Sequence, residues 1–175
     1  MTRLENLLGA QALALTDRLL AADSGPGAST PTSERAALIT LLAHPDHTVS
    51  WLGGVLGLTS SGITRLVDRL VAAGWATRGA GIDARSRRVQ LTRAGRSRAR
   101  ALLQARRAAM ANVLGALSEP DRSELERLLD LIVGNLAETR IPAMRVCRLC
   151  DRSACASDGR ECPLEHTVTA ESTRV

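Results

Sequence analysis

Residues Leu58 to Arg78 read LTSSGITRLVDRLVAAGWATR, and this stretch decides the fold. Ile63, Leu66, Val67 and Leu70 recur at the spacing that puts apolar side chains on one face of a helix. Ser61, Thr64, Arg65, Asp68 and Arg69 take the other face. Thr59 has the chemistry of an N-cap, its hydroxyl placed to accept from a first-turn N–H. Gly74 stands where a chain leaves a helix through a left-handed residue. Just upstream, Ser50 to Leu56 reads as a short helix that leads through Gly57 into Thr59. Two helices joined by a tight Gly-containing turn, the second presenting small hydroxyls and Arg, make a pair suited to a DNA major groove.

Working outward, Trp75 to Arg78 and Arg88 to Leu91 have strand character, and the intervening GAGIDARSR is a polar, Gly-rich hairpin loop. A basic hairpin directly after such a helix is a wing. Upstream, Leu4 to Ala22 reads as an amphipathic helix and Asp23 to Pro31 as a linker. A further helix starts near Thr32 or Ser33 and stops before Pro45, leaving His44 to His47 as a loop. Downstream, Thr92 caps a long helix from about Arg93 to Leu117. Ser118, with Asp121 three residues on, starts another whose apolar face runs from Leu125 to Leu136. Trp51 and Trp75 read as core residues. The fold class is mainly α, a winged helix-turn-helix with long N- and C-terminal helices and a small two-stranded wing.

The charge has a location. All 23 bases are Arg and 18 residues are acidic, a net +5. From Arg65 to Arg107, twelve Arg face only Asp68 and Asp83, a local +10, while the remaining residues sum to −5. GC-rich coding sequence explains an absence of Lys but not the clustering, and a basic patch implies a polyanionic partner. The chain has no Phe, no Tyr and two Trp, so it lacks the aromatic platforms on which single strands and RNA bases stack. Duplex DNA is the better polyanion.

These segments resemble the multiple antibiotic resistance regulator (MarR) family of winged-helix transcription factors. The resemblance rests on Leu58 to Arg78, on DARSRRVQLTRAGR from Asp83 to Arg96, on the long helix after it, and on the helix start LSEPDRSELERLL. It spans roughly residues 4–140. It implies a homodimer whose terminal helices intertwine and whose two lobes grip a pseudo-palindromic duplex site. Family members are mostly repressors, relieved by a small ligand or by thiol oxidation. The chain thus divides into a DNA-binding and dimerisation domain, 1–140, with its DNA-binding lobe at about 32–100, and a Cys-rich tail, 141–175.

Roles follow residue by residue. Ser60 and Ser61, at a positive helix N-terminus, are placed to hold phosphate oxygens. Thr64 and Arg65 are candidate base-edge readers, Arg because its fork reaches guanine O6 and N7 together. Arg69, one turn on, is placed for phosphate, and Asp68 for orienting a neighbouring Arg. By the resemblance, Asp83 matches the carboxylate that braces the wing loop and Arg85 the tip Arg that enters the minor groove. Arg87 and Arg88 lie close enough to share phosphate contacts. The Arg run from Arg93 to Arg107 reads as a solvated helix face.

Past Arg140 the sequence continues RVCRLCDRSACASDGRECPLEH, an extension that is not a general feature of the family. Cys147, Cys150, Cys155 and Cys162 form C-x2-C-x4-C-x6-C, with His166 beyond. Four thiols in a segment with few apolar residues point to a bound metal that replaces a core. Three readings stay open. One is a tetrahedral Zn site of four Cys, or of three Cys and His166. The second is an iron–sulfur cluster, which the Cys162-Pro163 ending favours. The third has no cofactor, only thiols that report oxidation.

No run of apolar residues is long enough for a membrane span. The apolar Leu7 to Leu15 loosely imitates a signal peptide, but Gln11, Asp17 and Arg18 interrupt the pattern, so a cytoplasmic location is expected. No Ser-His-Asp set, carboxylate pair or Gly-rich phosphate loop marks an enzyme, and four Cys ligands would leave a Zn ion no open position. The rival class is a winged-helix interaction module that applies its Arg patch to an acidic protein partner.

Overall fold

The computed structural model describes residues 1–22, 30–80 and 87–168. Helix α1 (Arg3–Ala21) opens on a full capping box: Thr2 Oγ1 accepts from the Glu5 N–H, and the Glu5 carboxylate accepts from the Thr2 N–H. Helix α2 (Thr32–Ala43) carries Arg35, which is buried. Arg35 Nη1 donates to the Leu19 and Leu20 carbonyls at 3.3 and 3.0 Å, and its Nε donates to Thr30 O at 2.6 Å. A cation is favoured at a helix C-terminus, so Arg35 fixes the end of α1 against α2.

Helices α3 (Val49–Leu56) and α4 (Ser60–Ala72) follow, joined through Gly57 at φ +68°. Ile63, Leu66, Val67 and Leu70 of α4 are all buried, as the periodicity requires. They pack with Leu38 and Leu41 of α2, Leu52 of α3, and Ala99 and Leu102 from farther along the chain. Trp51 and Trp75 lie half-buried against this cluster, as expected of core residues.

The expected two-stranded wing is present, and one short strand is added to its sheet. Strands β2 (Ala76–Ala80) and β3 (Arg87–Leu91) pair antiparallel from Ala76↔Leu91 to Ala80↔Arg87. A third strand, β1 (His47–Thr48), adds to the other edge of β3 with His47 opposite Val89, so the sheet is three-stranded. Two residues carry no alternation to detect, and partner pairing alone makes them a strand.

The L-T-x-x-G motif joins the wing to the next helix, α5 (Arg93–Leu114). Thr92 Oγ1 accepts from the Gly95 N–H at 3.0 Å and donates to Gly74 O at 2.7 Å, while the Thr92 N–H donates to Trp75 O. A Cβ on Gly95 would stand 1.9 Å from the Trp75 carbonyl oxygen, so only glycine admits this close approach. Helix α5 ends at Leu114, one turn short of the expected Leu117, and Ser118 caps α6 (Glu119–Gly134).

The tail is folded onto the lobe. Helix α7 (Arg140–Val146), a 3-10 turn (Cys147–Leu149) and the short α8 (Arg152–Cys155) follow one another. Ala137, Ala143 and Leu164 make a second, small buried cluster, against which Val133, Val146, Cys147 and Cys162 pack. Arg145 Nη2 donates to Gly54 O of α3 at 3.1 Å, and Thr40 Oγ1 of α2 donates to Arg148 O at 3.4 Å. No helix among the described residues is long and apolar enough to cross a membrane.

Candidate nucleic-acid interface and cysteine cluster

Burial of the apolar stripe of α4 leaves Ser60, Ser61, Thr64, Arg65, Asp68 and Arg69 exposed. Thr59 Oγ1 caps the helix by accepting from the Gly62 N–H at 3.2 Å, and Ser61 Oγ lies 3.4 Å from the Thr59 hydroxyl. Thr64 Oγ1 donates to Ser60 O at 2.8 Å, which fixes its methyl and hydroxyl on the outer face. Arg65 is exposed beside it.

Three Arg of the segment are braced. Arg69 Nε donates to Glu34 Oε1 at 2.6 Å; the Glu34 side chain is only 10% exposed, whereas that of Arg69 is 54% exposed. The Arg69 guanidinium therefore ties α4 to α2 while remaining half open to solvent. Asp68 does what its position suggested, holding Arg78 of β2 through a 2.5 Å contact. Arg88 Nη1 bonds both the carbonyl and the carboxylate of Asp46, a residue at φ +65°, and Gln90 Nε2 bonds the same carboxylate at 2.9 Å. Arg87 is exposed at the start of β3. Asp83 and Arg85, in the wing loop, lie outside the described residues.

An open groove runs between the start of α3, the outer face of α4 and the wing, lined by Thr48, Ser50, Ser60, Thr64, Arg78 and Arg87. Ser60, Thr64 and Arg87 were singled out by the sequence; Thr48, Ser50 and Arg78 were not. Arg78 belongs to the basic segment, a usable signal. Thr48 and Ser50 resemble any capping pair, with Thr48 Oγ1 accepting from the Trp51 N–H.

On α5, Arg96 Nη1 donates to Leu91 O at 2.7 Å and Arg98 Nη2 to Thr30 Oγ1 at 2.6 Å, so part of the Arg run joins elements and is not merely solvated. His44 and His47 have partners that the sequence did not disclose. The His47 ring stacks on Trp51 with centroids 3.8 Å apart, His44 meets Trp51 edge-on at 5.7 Å, and Arg152 reaches His44 Nε2 at 2.8 Å. Burial, with help from Arg152, Arg140 and His47, lowers the His44 pKa to about 4.

All four cysteines are free thiols, and all four line a single cavity of about 270 Å³ between the tail and α2. Cys147 is hydrogen-bonded with Cys150 and Cys162. The thiol of Cys150 falls to about 6, because Cys147 donates to it and Arg106 and Arg148 stabilise its charge against the opposing effect of burial. The Cys147 thiol is pushed up as the proton-holding partner, and burial raises Cys155. Among the described residues, no group of three Cys, His, Asp or Glu is arranged to hold a metal ion. The His166 ring nitrogens lie 3.2 Å from the Pro163 and Ala137 carbonyl oxygens.

No curated protein matches the chain. The MarR family profile matches residues 30–88, which contain α2 to β2 and the first residues of β3. A MarR family protein from Bacillus stearothermophilus is 29% identical with a TM-score of 0.65, the match covering 74% of this chain and 89% of that one. A probable transcriptional regulator from Pseudomonas aeruginosa is 28% identical with a TM-score of 0.57, over 74% of this chain and 99% of that one. A MarR family protein from Mycobacterium tuberculosis, in complex with salicylic acid, is 28% identical with a TM-score of 0.57, over 75% and 97%.

Proposed function

We propose that the chain is a member of the MarR family, a homodimeric, sequence-specific regulator of transcription that binds double-stranded DNA. It acts in the cytoplasm as a repressor that responds to a small ligand or a redox signal, and it is not an enzyme. The observation that carries this reading is the outer face of α4. Its capped N-terminus and its Ser60, Ser61, Thr64 and Arg65 side chains are open to solvent, beside a groove bordered by Arg78 and Arg87. First-turn amides and hydroxyls suit phosphate oxygens, and Thr64 and Arg65 suit base edges. Arg69 and Arg88, held by Glu34 and Asp46, add fixed positive charge for the backbone of the duplex. By the family pattern, Asp83 and Arg85 complete the grip from the wing.

The second copy has a place to dock. Helices α1 and α6 contain no buried residue, yet Leu4, Leu7, Leu8 and Leu13 on α1 and Leu128, Leu129, Leu131 and Ile132 on α6 are exposed. Apolar faces of this extent on a monomer mark an association surface, and a twofold pairing of these helices fits a pseudo-palindromic site. A family relative was solved with salicylic acid, which supports a small acid as one class of effector.

The test is selection of duplexes from a random pool by the purified chain, followed by titration at fixed and varied salt. The expected outcome is an inverted-repeat consensus bound by two chains per duplex, with affinity falling steeply as salt rises. Binding that ignores sequence, or a stronger grip on an acidic protein surface than on any duplex, would point to the interaction module instead.

A further inference from the structure

The 3-10 turn of the tail brings sulfurs together. Cys147 opens this turn and Cys150 ends it, the Cys150 N–H donating to Cys147 O at 2.9 Å. A turn closed in this way holds its first and fourth Cα atoms within about 7 Å, which overlaps the span of about 4.4–6.8 Å that a disulfide bridges. The Cys147 sulfur lies within hydrogen-bond reach of both Cys150 and Cys162, the latter from beyond α8 in the chain. These three are half-buried and line the cavity beside α2, so a small solute reaches their sulfurs. Cys155, on α8, is exposed.

Two sulfurs are within reach of Cys147, and local charge decides between them. Cys147 donates its S–H to Cys150, so Cys150 presents lone pairs and not a proton. Arg106 and Arg148 beside Cys150 favour the thiolate, the nucleophilic form, against the single carboxylate of Asp151. Elsewhere the cavity wall is of mixed sign, with Arg140, Arg152 and Arg160 standing among Glu161 and Glu165. Such a wall selects neither an anion nor a cation, and it leaves a small neutral oxidant unhindered.

We propose that Cys147 and Cys150 are a site of reversible oxidation by hydroperoxides, closing to a disulfide in which Cys150 is the sulfur oxidised first and Cys147 the one that resolves it. The Cys150 sulfur attacks one peroxide oxygen; an S–O bond forms, the O–O bond breaks, and the departing hydroxide takes a proton to leave as water. Cys150 is then a sulfenic acid, oxidised by two electrons, and the peroxide is reduced by the same two. Cys147 gives up its proton and attacks the Cys150 sulfur; the S–S bond forms, the S–O bond breaks, and a second water leaves. A dithiol reductant restores both thiols by exchange. The site rests on the geometry of the tail and stands whether or not the chain binds DNA.

The experiment treats the reduced full chain with hydrogen peroxide, counts the remaining thiols and maps any disulfide by trypsin digestion and mass spectrometry. Arg148, Arg152 and Arg160 fall between the cysteines, so trypsin puts each on its own peptide and the linked pair is read directly. The expected result is loss of two of the four thiols, with residues 146–148 joined to residues 149–152 and both thiols recovered by dithiothreitol. In Cys147→Ser the Cys150 sulfenic acid should persist and be captured by a 1,3-dione, in Cys150→Ser the disulfide should be lost, and Cys155→Ser should react like the wild type. The mapping uses the wild-type chain, so it decides the matter even where a variant fails to fold. Four thiols surviving excess peroxide, with or without a zinc ion that protects them, would overturn the site. A link between Cys147 and Cys162, or between two chains, would overturn the assignment of Cys150 as the sulfur oxidised first.

Discussion

The winged-helix lobe and the C-terminal tail are built by different means. In the lobe, residues from α2, α3, α4, the sheet and α5 share one buried apolar cluster, so each element has its place fixed by several others. Among its described residues the tail buries Ala143, Met144, Leu164 and Thr167, and Leu149, packed against the lobe's cluster, holds it to the lobe together with polar ties to Gly54, Thr40 and His44. A segment with so small a core lies at the low end of local stability.

Truncating each cluster separates the two. Leu66→Ala, at 1% exposure in the lobe, should cost about 2–5 kcal/mol and lower the melting temperature of the whole protein. Leu164→Ala, equally buried, should free the tail and leave the lobe folded, seen as loss of amide protection confined to residues after about Arg140. Equal melting shifts for the two would mean that tail and lobe unfold as one. Next in size is Gly95→Ala, which forces the Trp75 carbonyl away from α5 and should cost about 1–3 kcal/mol in thermal or urea unfolding. The smallest effect concerns His44. With its folded pKa lowered from 6.5 to about 4, the unfolded chain binds more protons between those values. Stability should therefore rise with pH from about 4 to 6.5 and level off above. In His44→Gln that slope should flatten, and an unchanged slope in a melting series across this range would assign it to other groups.

The same contrast explains how much could be read from the sequence. Helix α4 was legible because its stripe, its Thr59 cap and Gly74 agree, and the structure buries Ile63, Leu66, Val67 and Leu70 and places Gly74 at φ +71°. The L-T-x-x-G motif was visible, but its reason, the contact of Gly95 with Trp75, exists only in three dimensions. Strand β1 was missed because two residues have no period. The partners of His44 and His47, and the burial of Arg35, depend on elements brought together from distant parts of the chain. The cysteine spacing marked the four thiols as a group, whereas the α2 residues that line the same cavity could not be inferred from spacing.

The most direct test of DNA recognition through α4 is a titration of Arg65→Ala and the wild type, at one salt concentration, on the selected duplex and on variants substituted at each position of a half-site. The expected result is a loss of about 1–3 kcal/mol on the selected duplex, with base preference relaxed at one position per half-site and retained elsewhere. Unchanged affinity, or a loss spread evenly over all duplexes, would contradict the assignment of Arg65 to the base edges.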